Sequence, residues 1–179
     1  MKFLQASFED VDTILEINQK NLQINIIDNS RGFLMGTRTK KWISDNLDKY
    51  FVVKEIGQVL GYAEIDFTIG KEYFATGKWE RESIQKKVLE TVDKKNFVYL
   101  IQLASNLHRK GVGKCIIEGL SETFKGLAII SFVSFKPYFN EASVHFHEKV
   151  DFQKAGLFTI KYKFGIQEYE RFSYIKEYK

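Results

Sequence analysis

Apolar residues along the chain recur at two kinds of spacing, one typical of helices and one typical of strands. Val11, Ile14 and Leu15 lie at i, i+3 and i+4, which predicts a helix. Residues 97–104 are almost all apolar, as expected of a strand that is buried on both faces. The same reasoning predicts strands at 2–6, 50–56, 59–68, 97–104, 127–135, 152–164 and 169–178, and helices at 8–20, 37–47, 83–92, 111–125 and 140–150.

The order of these elements predicts a mixed α/β fold of the α+β kind, with about seven strands flanked by helices. No repeat and no linker interrupts the pattern, so residues 1–179 are predicted to form a single domain. The chain has one cysteine and one proline, which excludes an intramolecular disulfide, a multi-cysteine metal site and a proline-rich linker. We therefore expect no metal centre.

The apolar stretches are short, and none approaches the ~20 residues that a membrane-spanning helix needs. Acidic residues occur within the first ten positions, so the sequence shows no signal peptide at this end. From these features we expect a cytoplasmic protein without a membrane partner.

The net charge is +4, and the whole excess lies in residues 96–179, because residues 1–95 are neutral overall. An anionic ligand is therefore expected to bind in the second half of the chain. The excess is too small, and too little interleaved with aromatic residues, for a nucleic-acid partner.

The strongest local motif follows the strand at 97–104. Gly111 and Gly113 open a helix whose first N–H groups form an anion site, and cations flank it at Arg109, Lys110 and Lys114, with His108 beside them. The motif is neither a Rossmann fingerprint nor a Walker A loop, because the required third glycine and the Ser or Thr are missing. Alternatively, Gly111 serves only a tight turn and the cations are solvated.

Residues 102–114 resemble the acyl-CoA-binding motif of the GNAT superfamily of N-acyltransferases, Q/R-x-x-G-x-G/A. The glycines match at Gly111 and Gly113, and His108 stands at the Gln/Arg position with Arg109 beside it. Residues 7–17 are similar to the entry from the first strand into the first helix of that superfamily, and residues 140–152 are similar to its late helix.

The resemblance implies a twisted, mostly antiparallel sheet in which the strands before and after the motif helix, the fourth and fifth of the predicted strands, splay apart. Acetyl-CoA would lie in the splay, with the backbone of Leu103 and Ala104 pairing with its pantetheine arm. Asn140 and Ser143 would face that arm from the late helix. The N–H groups of about residues 108–113 would hold the coenzyme A pyrophosphate. The predicted cofactor-binding residues of this segment are Ser105, His108, Arg109, Lys110, Gly111, Val112, Gly113 and Lys114.

The resemblance also implies direct attack of an amine on the thioester, helped by a proton donor to the departing thiolate. The donor tyrosine of many members is replaced by His147, which could donate or could simply pack; Tyr138 is the second candidate. The strand at 97–104 carries no carboxylate. Glu64 and Asp66 share a strand face and could bind a cationic amine or take its proton, or could be solvated.

The predicted function is transfer of an acetyl group from acetyl-CoA to a primary amine of a small molecule or a peptide. The alternative is a CoA-binding sensor or interaction domain with weak or no catalysis, because the carboxylate and the tyrosine are both missing. No motif in residues 20–36 or 62–95 identifies the acceptor. The long closing hairpin offers an edge for a homodimer.

Overall fold

One eight-stranded sheet forms the centre of the fold. The computed structural model describes residues 1–26, 32–106 and 110–177. The strand order in the sheet is β1-β2-β3-β5-β6-β8-β7-β4. The strands are β1 Lys2–Gln5, β2 Tyr50–Glu55, β3 Gln58–Asp66, β4 Gly77–Trp79, β5 Phe97–Ser105, β6 Ala128–Lys136, β7 Gln153–Lys163 and β8 Ile166–Lys176, and the helices are α1 Val11–Lys20, α2 Lys40–Asp45, α3 Glu82–Asp93, α4 Val112–Thr123 and α5 Glu141–Lys149.

The pair β5 and β6 is parallel, and the other neighbouring strands are antiparallel. The parallel pairing begins at Phe97 and Ala128 and ends at Leu100 and Ser131. Both strands continue for several residues beyond that point, to Ser105 and Lys136. They therefore part in the middle of the sheet, as the resemblance implied.

Two layers of helices cover the sheet. On one face α4 packs Ile116, Ile117 and Leu120 against the sheet, and partly buried residues of α5 join the same cluster. On the other face α1 and α3 pack their apolar stripes against opposite halves of the sheet. Each fully buried Leu or Ile side chain contributes about 1.5–3 kcal/mol, so the two layers fix the strands on which the site is built.

The structure adds one strand that the pattern did not predict. β4 has three residues, too few to show a strand period, and it is held by pairing with β7 at residues 156–158. A Cβ at Gly77 would clash with the Leu157 carbonyl oxygen, so glycine allows this close approach. β4 also covers part of the edge on which the homodimer hypothesis depended.

Within the described ranges, no helix combines the length and the apolar character needed to cross a membrane.

Candidate functional site

A cleft opens where β5 and β6 part. Residues 100–103 of β5 and 131–134 of β6 form its two sides, and the cleft has a volume of about 140 Å³. Phe146 and His147 reach it from the α5 face, whereas Tyr99 and Arg171 reach it from the opposite face. The cleft therefore passes through the sheet and is lined from both of its faces.

A larger groove of about 1000 Å³ lies beside the cleft, between α4 and α5. Leu103 and Phe146 line both spaces, so the two are neighbours. Gly111, Gly113 and Lys114 border the groove at the start of α4. Its other cations are the lysines of α3, α5 and β8, namely Lys87, Lys149 and Lys176.

The start of α4 requires its first glycine. Gly111 has φ of +87°, in the left-handed region that favours glycine. The Cys115 N–H donates to the Gly111 carbonyl at 3.0 Å, and the N–H groups of residues 112–114 precede this first helical bond. Such N–H groups attract an anion. His108 and Arg109, two of the predicted ligands, lie outside the described residues.

Gly113 is required for a different reason. A Cβ at this position would lie 2.8 Å from Cε2 of Phe146, which leans across the helix start. Lys110 and Lys114 are exposed, and Lys114 Nζ lies 3.6 Å from the carboxylate of Glu118. Both lysines are therefore close to the groove but not committed to a buried partner.

The predicted residues of β5 occupy different surroundings. Leu103 lines the cleft and the groove, whereas the side chain of Ala104 is buried in the core formed with α1. Ser105 borders the groove, and its carbonyl accepts a hydrogen bond from Asn21 Nδ2 at 3.2 Å. Beyond Leu100 no β6 residue pairs with this strand, so its backbone on that side faces the cleft.

The predicted residues of α5 lie at the cleft. Asn140 caps the helix, because its Oδ1 accepts from the Ser143 N–H at 3.2 Å, and its Nδ2 donates to the Phe33 carbonyl at 2.8 Å. Asn140 is thereby buried and connects the segment before α2 to α5. Ser143 is half-buried and lines the cleft beside it.

His147 lies deep beside the cleft and is 5% exposed. Nδ1 lies 2.6 Å from the Ser143 carbonyl oxygen, which can only accept, so Nδ1 carries the proton. Nε2 is then an acceptor, and it is buried without a hydrogen-bond partner among the described residues. Burial lowers the pKa of the imidazole to about 4. The neutral ring has no proton at Nε2 to donate, and this geometry favours the packing alternative.

Tyr138, the second candidate donor, precedes α5 and is 37% exposed. Its carbonyl accepts a hydrogen bond from Ser134 Oγ at 2.6 Å. Its side chain is not among those that line the cleft.

Both predicted amine-binding carboxylates are already paired with cations of the chain. Glu64 is 1% exposed, and Arg38 Nε lies 2.8 Å from its Oε2. Asp66 lies 2.8 Å from Lys49 Nζ. Neither carboxylate lines the cleft; Arg38 does, in front of Glu64.

A buried polar network, not foreseen from the sequence, supports this region. Gln102 Oε1 accepts from Tyr62 OH at 2.8 Å and from Asn18 Nδ2 at 3.0 Å. Gln102 Nε2 donates to the Gly36 carbonyl at 2.7 Å, and Asn18 Oδ1 accepts from the Arg38 N–H. The signal in the sequence is one polar residue on each apolar surface, Asn18 on α1 and Gln102 on β5.

Sequence reasoning also missed two cations of the cleft, Lys163 and Arg171. The available signal was the alternation of side chains between the two faces of β8. On its buried face lie Tyr169, Arg171, Ser173 and Ile175. An arginine on that face is unusual, because a buried charge needs compensation.

Known proteins resemble this chain in sequence pattern and in fold. The model of the family described as "Acetyltransferase (GNAT) family" matches residues 13–152. No curated protein matches the chain in sequence.

Solved structures share the fold over nearly the whole chain. A GNAT-family acetyltransferase from Streptococcus agalactiae is 16% identical, with a TM-score of 0.66 over 99% of this chain and 95% of that one. An N-acetyltransferase from Staphylococcus aureus is 19% identical, with a TM-score of 0.62 over 99% and 98%. A ribosomal-protein-alanine N-acetyltransferase from Brucella melitensis is 17% identical, with a TM-score of 0.61 over 99% and 99%.

Proposed function

Since the chain belongs to the GNAT family of acetyltransferases, we propose that it transfers an acetyl group from acetyl-CoA to a primary amine of a small molecule or a peptide. The observation that carries this proposal is the parting of β5 and β6 directly beside the start of α4. A backbone edge and a set of helix N–H groups then face one continuous region, where an extended ligand with a diphosphate fits both.

The groove has the donor set that the diphosphate of coenzyme A requires. The N–H groups of Val112, Gly113 and Lys114 come before the first helical hydrogen bond, and Gly111 adds no side chain in front of them. Lys114 is the lining cation at this end of the groove, and its exposed ammonium can turn from Glu118 to the diphosphate. The rest of the lining is mixed in charge, with the lysines Lys87, Lys149 and Lys176 and the carboxylates Glu118, Glu122, Asp151 and Glu177. The residues present therefore fit the group.

Acetyl-CoA, when bound, supplies a thioester carbon for attack by the amine. The free edge of β5 after Leu100 would hold the pantetheine arm and donate an N–H to the oxyanion that forms. Tyr99 lines the cleft, and burial raises its pKa to about 12, so its hydroxyl keeps its proton as a hydrogen-bond donor.

The described lining of the cleft includes no carboxylate. The proton of the attacking amine would therefore leave through water, or be lost before the amine binds. Either route makes the rate rise with pH as the fraction of neutral amine rises.

The test uses Lys114→Glu, because substitution of Gly111 or Gly113 would also disturb the helix start. Lys114 is exposed, so the change should leave the fold intact while placing a negative charge beside the diphosphate site. We expect acetyl-CoA to bind about 10-fold more weakly, from the loss of roughly 1.4 kcal/mol. Binding is measured by calorimetry, with Lys86→Glu at an exposed position of α3 as the matched control.

Unchanged acetyl-CoA affinity in Lys114→Glu would contradict the placement of the diphosphate. Acetyl transfer across a panel of amines tests the activity itself, by release of the coenzyme A thiol.

The alternative function, a CoA-binding sensor, is favoured by one observation: neither His147 nor Tyr138 presents a proton donor to the cleft. Tight binding of acetyl-CoA with no transfer to any amine would support the sensor. Transfer to an amine at a rate typical of enzymes, with a kcat of about 1 per second or more, would exclude it.

A further inference from the structure

Arg171 is the most deeply buried charge at the cleft, with 1% of its surface exposed. It lies on β8 opposite Ser134 of β6, three residues beyond Ser131, where the pairing of β5 with β6 ends. Its guanidinium carbon lies 3.6 Å from the centre of the Phe132 ring and 4.5 Å from that of Tyr73. Two aromatic rings therefore surround the charge.

Only part of the hydrogen-bonding capacity of the Arg171 guanidinium is used by the described residues. Nη2 donates a long bond of 3.4 Å to the Tyr73 carbonyl, and the Tyr99 hydroxyl is a second hydrogen-bonding neighbour of the guanidinium. Nε is buried without a hydrogen-bond partner among the described residues. A guanidinium has five N–H donors, which lie in its plane. Aromatic rings stack on its face, where they stabilise the charge without taking a hydrogen bond from these donors. The rings thus leave part of the in-plane donor set, Nε included, unsatisfied by the described residues.

Arg171 also lacks a counter-ion. Among the ion pairs of the described residues, none involves Arg171 or Lys163. Buried charges in proteins are normally paired, because desolvation is costly. Burial lowers the pKa of Arg171 to about 10, as expected for a cation without a carboxylate neighbour.

Lys163 adds a second cation to the same end of the cleft. Its Nζ lies 5.0 Å from the centre of the Tyr73 ring, over which the guanidinium also lies. Burial, together with the charges of Arg171 and Arg38, lowers its pKa to about 8. Of the three cations in the lining, Arg38 is neutralised by Glu64, which leaves two uncompensated charges and no carboxylate there.

We propose that the acceptor is a small-molecule amine that also carries an anionic group, a carboxylate or a phosphate, and that Arg171 and Lys163 bind this group. The inference rests on the proposed acetyl transfer and names the substrate class for it. The anion would lie on the face of the sheet opposite α4 and α5, so that the other end of the molecule, with its amine, points toward the free edge of β5. Arg171 is 1% exposed inside the cleft, a position that a small anionic group reaches more readily than a group on a peptide chain.

The experiment compares acceptors in matched pairs. Each amino acid is assayed beside its carboxamide, and O-phosphoethanolamine beside ethanolamine. We expect kcat/KM to be at least about 10-fold higher for the anionic member, either in the amino acid pairs or in the phosphoethanolamine pair. The pair that shows the preference tells whether the site binds a carboxylate or a phosphate. The carboxamide has the less basic amine, so a preference for the acid cannot come from easier loss of the proton.

Variants assign the preference to the two residues. Lys163→Met and Arg171→Met should each reduce the preference about 10-fold or more, mainly through KM, while Arg171→Lys should restore part of it. Lys161→Met, at an exposed position of the same strand, is the matched control and should retain the preference. Thermal unfolding and acetyl-CoA binding are measured for every variant, as checks that it folds. Lys163 is only half-buried, so Lys163→Met should fold even if Arg171→Met does not, and it then carries the test alone.

A binding measurement separates failure of this inference from failure of the proposed function. Calorimetry with coenzyme A present compares N-acetyl amino acids with their N-acetyl carboxamides, and needs no turnover. Suppose that no amine is acetylated, but that the N-acetyl amino acids bind more tightly than their carboxamides and lose this advantage in Lys163→Met. The proposed acetyl transfer is then wrong, and the anion site stands. Equal kcat/KM within each pair, transfer to peptides alone, or an equal effect of Lys161→Met would overturn the anion site.

Discussion

Replacing His147 with phenylalanine separates a packing role of this side chain from a proton-donating role. Phenylalanine keeps a ring beside Phe152 and Tyr174, whose ring centres lie 4.8 and 4.9 Å from that of the imidazole. The change removes both ring nitrogens, including the Nδ1 that donates to the Ser143 carbonyl at 2.6 Å. The Ser143 carbonyl remains satisfied, because the backbone N–H four residues on also donates to it.

The structure gives the expected effect on stability. The lost side-chain hydrogen bond costs about 1 kcal/mol, whereas removal of the buried, unpartnered Nε2 returns about 1–3 kcal/mol. The larger ring costs about 1–3 kcal/mol by overpacking. These contributions nearly cancel, so the free energy of unfolding at neutral pH should change by less than about 2 kcal/mol.

The effect of pH has a definite sign. Burial lowers the pKa of His147 from 6.5 to about 4 in the folded protein. Above pH 6.5 the residue is neutral in both states and its contribution to stability is fully present. As the pH falls toward 4, the unfolded chain binds a proton that the folded protein does not, and the free energy of unfolding falls by about 3 kcal/mol. The phenylalanine variant should lack this loss.

The assays are urea unfolding between roughly pH 4 and 8 and steady-state acetyl transfer to any accepted amine. A packing role predicts that kcat stays within about threefold of the original protein, because one general acid is worth about 100-fold or more. A fall in kcat of that size, with acetyl-CoA affinity and stability unchanged, would refute our interpretation and establish His147 as the donor.

Two further changes test the charges beside the cleft. Glu64→Gln leaves Arg38 without its buried partner. Because the Arg38 side chain is 17% exposed and can reach water, we expect the free energy of unfolding in urea to fall by about 2 kcal/mol. The control is Asp12→Asn, which breaks the exposed ion pair with Lys40 and should cost less than about 1 kcal/mol. The KM of the anionic acceptor should rise as the pH is raised through about 8, where Lys163 loses its charge. If the KM of Lys163→Met depended on pH in the same way as that of the original protein, Lys163 would not be the residue that binds the anion.

The layout of the fold could be predicted from the sequence, because most elements carry a clear period. The nearly continuous apolar run at 97–104 is β5, in the middle of the sheet, and the helix predicted at 111–125 is α4 with slightly shorter ends. β4 could not be predicted, since three residues carry no period and its position depends on pairing with a strand about 80 residues away.

The candidate site was only partly predictable, for a physical reason. The start of α4 is a local feature, and the need for glycine at Gly111 is visible in the sequence. The partners of Glu64 and the neighbours of Arg171 are set by tertiary packing between distant strands and segments, which no spacing in the sequence encodes. For the same reason the sequence could place His147 on one face of α5 with Asn140, but could not show that its Nδ1 is committed to a backbone carbonyl.

The passage of the cleft through the sheet has a kinetic consequence. Under the proposed function, acetyl donor and acceptor approach from opposite faces and meet where β5 and β6 part, so neither needs to leave before the other binds. Such an arrangement calls for a ternary complex, with intersecting lines in double-reciprocal plots, rather than a ping-pong cycle through an acetylated side chain. The acetylated product can then depart on its own side while coenzyme A is still bound.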